Sequence, residues 1–120
     1  MFTVTGIGGF FFRARDPRAL AEWYERHLGI SDIVRTVWSQ QAGPTILAPF
    51  DEDTDYFGRR EQQWLINLRV DDLDAAIADL KAAGIAAETR AEWDSEVGRF
   101  ARIHDPEGNP IELWEPSATM

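Results

Sequence analysis

The sequence predicts an α+β fold made from two copies of one small unit. Three observations predict it: a weak internal repeat, matched helix caps in both copies, and a closing pair of extended runs joined by a tight turn. Sliding the chain by 56 residues lays FRARDPRALAEWYERHLGI, from Phe12, on LRVDDLDAAIADLKAAGI, from Leu68. Arg13 then meets Arg69, Asp16 meets Asp72, and Ala19 meets Ala75; after a one-residue slip, Gly29-Ile30 meets Gly84-Ile85. A repeat of this period marks one supersecondary unit used twice.

The elements follow in order. Residues 9–14 alternate, with Phe10, Phe12 and Ala14 on one face and Gly9, Phe11 and Arg13 on the other. Asp16 is placed to N-cap a helix, Pro17 stands at the favoured first helical position, and Gly29 suits the left-handed C-terminal site. Leu20, Tyr24 and Leu28 give that helix an apolar face. Strand-like pieces follow at 32–39 and 45–50, then a polar connector, DEDTDYFGRREQQ. The second copy repeats the plan. Ile66, Leu68 and Val70 alternate with Leu65, Asn67 and Arg69; Asp72 caps a helix with Leu73, Ile77 and Leu80 inward; Gly84 ends it. Residues 86–90 are strand-like. The all-apolar faces are expected to pack under the helices, and the mixed faces to line a wet cavity.

FARIHDPEGNPIELWEP, residues 100–116, is the most specific stretch. Pro106 presets a turn and Gly108-Asn109 tolerate positive φ, so a β-hairpin is expected. Phe100, Arg102 and His104 share a face of the outgoing strand; Glu112 and Trp114 share one on the return. A carboxylate in the middle of a strand, beside a tryptophan, has either a task or a salt-bridge partner.

At 120 residues the chain suffices for one domain that buries roughly two thirds of its unfolded surface. With 12 basic against 21 acidic side chains, net −9, and no basic stripe, nucleic acid and anionic membrane are not expected partners. The longest apolar run, residues 6–12, is far too short to span a membrane, and no signal peptide is visible. Zero cysteines exclude disulfides and thiolate chemistry and make the cytoplasm the simplest compartment.

The repeat and the FARIHDPEGNPIELWEP stretch together resemble the vicinal oxygen chelate superfamily of glyoxalases, bleomycin-resistance proteins and ring-cleaving dioxygenases. Trp23-Tyr24 before Leu28-Gly29 adds weaker support. The resemblance implies two βαβββ modules, about 1–57 and 62–120 with a linker at about 58–61. They would be related by a pseudo-twofold axis, with a curled mixed sheet forming a cup and a homodimeric assembly. In metal-using relatives, ligands come from the first and last strands of each module. Carried onto this sequence, those positions are Gly9, Ile46 or Leu47, Leu65 and Glu112. One ligand of four falls short of the three or so that a catalytic divalent ion requires. No metal or other cofactor is therefore expected. Asp51 to Asp55 starts like a calcium loop but lacks the required glycine and closing glutamate. His27 reads as a histidine favoured by its helix end.

The cup is expected to hold a flat organic molecule. Five tryptophans are many for this length, and Trp38 and Trp114 lie on predicted strands. Phe11, Asn67 and Phe100 join them as candidate ligand contacts, with Arg13, Arg69, Arg102 and His104 supplying polar or positive groups. Glu112 is the candidate catalytic residue, and an arginine on the same wall is its simplest partner. Three functions stay open. The first is a metal-free binder of the bleomycin-resistance type. The second is a lyase, isomerase or dioxygenase using Glu112 as base or in a non-standard metal site. The third is a ligand-free dimeric interaction module.

Overall fold

The computed structural model describes residues 1–31 and 37–120. Two helices, α1 (Pro17–Leu28) and α2 (Leu73–Ala82), accompany three strands: β1 (Ile66–Arg69), β2 (Gly98–His104) and β3 (Pro110–Pro116). A short 3-10 turn, Ala91–Trp93, precedes β2. Strand β3 is central, parallel to β1 and antiparallel to β2. At the outer edge of β2, Glu88 and Arg102 exchange both backbone bonds at 2.8 Å. The strand expected over 86–90 is thus reduced to this bridge.

Both helices begin as their sequences dictate. Asp16 accepts from the Ala19 N–H at 3.1 Å and Asp72 from the Ala75 N–H at 3.0 Å. Each side chain satisfies an amide that has no partner inside its helix. Pro17 opens α1, and Gly29 closes it at φ 68°, a conformation that costs a residue with a Cβ. In α2 the last cap is Ala83, and Gly84 follows at φ 81°.

Register decides what faces where. Ile111 pairs with Ile66 and Ile103, and Leu113 with Leu68 and Ala101, so these share the helix-side face. Ala101, Ile103, Ile111 and Leu113 are at most 1% exposed. They form one cluster with Leu20 and Tyr24 of α1 and Leu73 and Leu80 of α2; Phe12, Ala14, Ile66, Leu68 and Val70 pack against it. Full burial of each large aliphatic contributes roughly 1.5–3 kcal/mol. Helix α1, from the first half of the chain, therefore shares the core of the second half's sheet.

The first half departs from expectation. Residues 9–14 and 45–50, predicted as strands, carry no strand pairing among the described residues. Most of the strand predicted over 32–39 lies outside the described residues. The physical reason is that a strand exists only with a partner. Phe2, Val4, Phe11, Val37 and Leu47 are each at least 78% exposed, and nothing among the described residues of a single copy covers them. Phe10 and Phe12 make their own contacts, with ring centroids 5.0 and 5.1 Å from that of Trp64.

Candidate functional site

The hairpin turn is the more elaborate of two polar centres. Asp105 is 4% exposed, yet its carboxylate accepts four hydrogen bonds. The donors are the Glu107 N–H (2.9 Å), the Asn109 N–H (3.0 Å), the Asn109 side-chain amide (2.8 Å) and the Tyr24 hydroxyl (2.8 Å). Burial first, then the bond to Asp105 and its negative charge, hold the Tyr24 phenol well above its usual pKa. Glu107, at the tip of the turn, accepts from the N–H groups of Arg15 (2.7 Å) and Asp16 (3.0 Å) just ahead of α1. Those two bonds pull its carboxyl below the ordinary range. The turn motif thus does more than reverse the chain. It fastens α1 to the sheet.

The second centre lies on the sheet face opposite the helices. Pairing of Glu112 with Arg102 on one side and Asn67 on the other brings these three side chains to one spot. Glu112 and Arg102 are each 8% exposed. The carboxylate accepts from the Asn67 side-chain amide at 2.7 Å through one oxygen and from the Tyr56 hydroxyl through the other. Tyr56 comes from the polar connector. Desolvation, and then its bond to Glu112, push its phenol up to about 12, so it remains a proton donor at neutral pH. The Arg102 guanidinium lies 4.8 Å from the Tyr56 ring centroid and 5.6 Å from that of Trp93, within cation–π range of both. One of its terminal nitrogens donates to the Tyr56 carbonyl at 3.0 Å. Its Nε–H is fully buried and finds no partner among the described residues. An orphaned charged donor of this kind asks for an acceptor.

The expectation that an arginine pairs Glu112 is corrected by this geometry. Arg102 stands directly across from Glu112, but its guanidinium turns under Tyr56, and two neutral donors take the carboxylate. Sequence reading missed Tyr56 because it sits in a connector of charged residues 56 positions away from Glu112. Its aromatic neighbour Phe57 was the available signal, since two adjacent rings seldom lie idle in a polar loop.

The other candidate residues are dispersed. Trp114 is 2% exposed, donates its indole N–H to the Val97 carbonyl at 3.0 Å, and stacks on Phe100 at 6.1 Å. Expected on an open cavity wall, it is instead sealed beneath the turn ahead of β2. Arg69 holds the carbonyls of Pro44 (2.5 Å) and Gln41 (2.7 Å), so its donors clamp a loop. Arg13 borders a shallow surface hollow beside Glu107 and Asn109. Arg13 and Arg69, which occupy matching positions in the repeat, lie against different parts of the surface. Phe11 is 92% and Trp38 43% exposed, and His104 also faces solvent. His27 lies half-buried, its ring 5.4 Å from that of Trp23.

Beside the Glu112 centre runs a cleft of about 330 Å³, lined by Phe50, Phe57, Gln62, Gln63, Trp64 and Leu65 among others. Phe50 belongs to both places: it lines the cleft and stacks on Tyr56, 5.6 Å away and 12° from parallel. The donor set around Glu112 is one carboxylate, a phenol, an amide and a guanidinium. It does not fit a divalent cation, which needs several anionic or imidazole ligands and no neighbouring positive charge. Among the described residues no group of three or more His, Cys, Asp or Glu side chains is placed to hold a metal. No described helix is long and apolar enough to cross a membrane.

A helix-backed mixed sheet with a lone buried acid on its free face is architecture of the vicinal oxygen chelate class. A family model of the glyoxalase-like domain matches residues 9–114, and the chain belongs to that family. The structure of TnmS3, an antibiotic binding protein from Streptomyces sp. CB03234, is similar with a TM-score of 0.64. Identity is 25%, over 98% of this chain and 100% of that one. A glyoxalase/bleomycin resistance protein from the same Streptomyces strain matches at 34% identity, over 45% of this chain and 46% of its own, with a TM-score of 0.39. No curated protein matches.

Proposed function

We propose that this chain binds a flat aromatic small molecule, in the manner of bleomycin-resistance-type proteins, without a metal. The observation that carries the reading is Arg102: a buried guanidinium packed against two aromatic rings, with one donor left over, near a mixed cleft to which Phe50, Phe57 and Trp64 contribute. Planar cations of this kind stack on flat ligands and donate to their oxygens. The likeness to an antibiotic binding protein over nearly the whole chain supports a small organic ligand. An enzyme using Glu112 as base is the weaker reading, because the similar structure that spans nearly the whole chain is that of a binding protein. The test is titration of tryptophan fluorescence with a panel of flat aromatic antibiotics, with bleomycin, a flexible glycopeptide, beside them. At least one is expected to quench Trp93, and Arg102→Met is expected to weaken that binding about tenfold or more, the equivalent of one charged hydrogen bond. A panel with no fluorescence response and no calorimetric heat would overturn the reading.

The two-module cup and the homodimer belong to the same proposal. The bare apolar side chains of residues 1–14 and 37–50 support them. A strand-forming segment with Phe2, Val4, Phe11 and Leu47 open to water is best covered by a second copy. Light scattering at micromolar concentration is expected to give a particle about twice 13.6 kDa; a particle of monomer mass would remove the dimer. The absence of cysteine from the sequence fits a cytoplasmic protein.

A further inference from the structure

The contacts of Tyr56 are those of a bound guest. Its hydroxyl donates to Glu112, its ring lies over the Arg102 guanidinium, Phe50 stacks on its other side, and Trp93 meets it edge-on at 6.3 Å and 79°. These four contacts hold the ring and hydroxyl of a half-buried phenol. Beyond the Arg102 bond to the Tyr56 carbonyl, which would break if Tyr56 left, the segment that delivers it is held by local turns: Thr54 N–H to the Asp51 carbonyl, Gly58 N–H to the Asp55 carbonyl, and Gln62 N–H to the Arg59 carbonyl, each at 3.0 Å. Gly58, at φ 93°, sits two residues after Tyr56. The residues underneath are costly to cover permanently. Arg102 Nε–H has no acceptor while Tyr56 is in place.

We propose that Tyr56 is a built-in stand-in for the ligand: a plug that occupies the Glu112–Arg102 centre and leaves when a flat phenol takes its place. The inference rests on the binding reading above and names the ligand's recognised group. The incoming hydroxyl donates to Glu112 and the incoming ring stacks on Arg102, as Tyr56 now does. An oxygen elsewhere on the ligand satisfies the Arg102 Nε–H, which Tyr56 leaves unpaired. Phe50, shared between plug and cleft, opens the centre to the 330 Å³ cleft when the plug departs. The plug makes apparent affinity weaker than intrinsic affinity by the fraction of molecules in which it is open.

The test uses 4-methylphenol, the side chain of tyrosine as a free molecule, with 4-methylanisole as the control that cannot donate. Binding is read from the Trp93 indole N–H in two-dimensional NMR. Tyr56→Ala is expected to bind 4-methylphenol about tenfold more tightly than the wild type and to prefer it over 4-methylanisole by about as much. Tyr56→Phe, which keeps the ring and loses the bond to Glu112, is expected to fall between them and serves if the alanine variant folds poorly. The wild type must also respond, at higher probe concentration, with the Phe57 and Gly58 amides shifting as the segment leaves. A wild type that stays silent while the alanine variant binds shows a permanent structural tyrosine, and overturns the proposal. So does equal binding of the two probes. Antibiotic binding unaffected by Tyr56→Ala would sink the plug and leave the proposed function standing. Exchange with 4-methylphenol and no antibiotic binding would do the reverse.

Discussion

Asp105→Ala is expected to lower stability by about 3 kcal/mol, the cost of losing four hydrogen bonds and leaving one buried donor without an acceptor. Four hydrogen bonds end on this carboxylate, and the residue is almost wholly buried. The Tyr24 hydroxyl would face protein with nothing to accept it, while the Asn109 and Glu107 donors, half-exposed beside a surface hollow, would turn in part to water. Tyr24→Phe removes one bond and leaves the turn intact, so its expected cost is about 1 kcal/mol. The double variant should cost less than the sum of the two, since the shared bond is lost only once. Urea denaturation of the four proteins reads all of these values. An Asp105→Ala loss below about 1 kcal/mol would show that the turn holds without its carboxylate.

Gly98→Ala is expected to cost about 3 kcal/mol as well, by a different route. Gly98 opens β2 at φ 142°, a backbone conformation available in practice to glycine alone. A methyl group there would collide with the carbonyl oxygen of Glu115, and would lie 2.7 Å from the Trp114 indole nitrogen and 3.1 Å from the Glu115 carbonyl carbon. Two of those atoms are backbone of the central strand and cannot yield without breaking the ladder. The third belongs to a tryptophan with its N–H already bonded to Val97. Thermal melting of this variant beside Gly108→Ala gives the control. Gly108 also has positive φ, at 84°, but nothing lies within 4 Å of its would-be methyl group, so its variant should suffer only the smaller conformational cost.

Much of this architecture was legible from the sequence because local chemistry specified it. Asp16 with Pro17, and Asp72, mark the helix starts; Gly29 marks an end; the alternation of Ile66 and Leu68 and of Ile111 and Leu113 fixes the buried face. The α+β class and the hairpin follow from these. What escaped is whatever depends on contacts between distant segments. Glu112 and Arg102 were singled out on the shared face, but which donor reaches the carboxylate depends on how a connector folds back. Tyr56 carries no local mark of that. Trp114 shares a strand face with Glu112, yet residues 97 and 98 cover it, and no pattern along β3 records a lid supplied by another segment. Asp105 looked like an ordinary turn residue. Its bond to Tyr24 spans 81 positions. The expected first-module strands failed in the single chain because propensity cannot supply a pairing partner.

That long span bears on the order in which the molecule is made. Helix α1 leaves the ribosome well ahead of the carboxylates that fasten it, Asp105 and Glu107; Tyr24 precedes Asp105 by 81 positions. Until they emerge, α1 has no sheet to lie on, and Leu20 and Tyr24 face water. Its 12 residues are too few to hold a stable helix unaided. Synthesis and folding are therefore separated in time: the nascent chain carries an unfinished amphipathic segment until the hairpin arrives, and only then do α1 and the sheet close on their shared core.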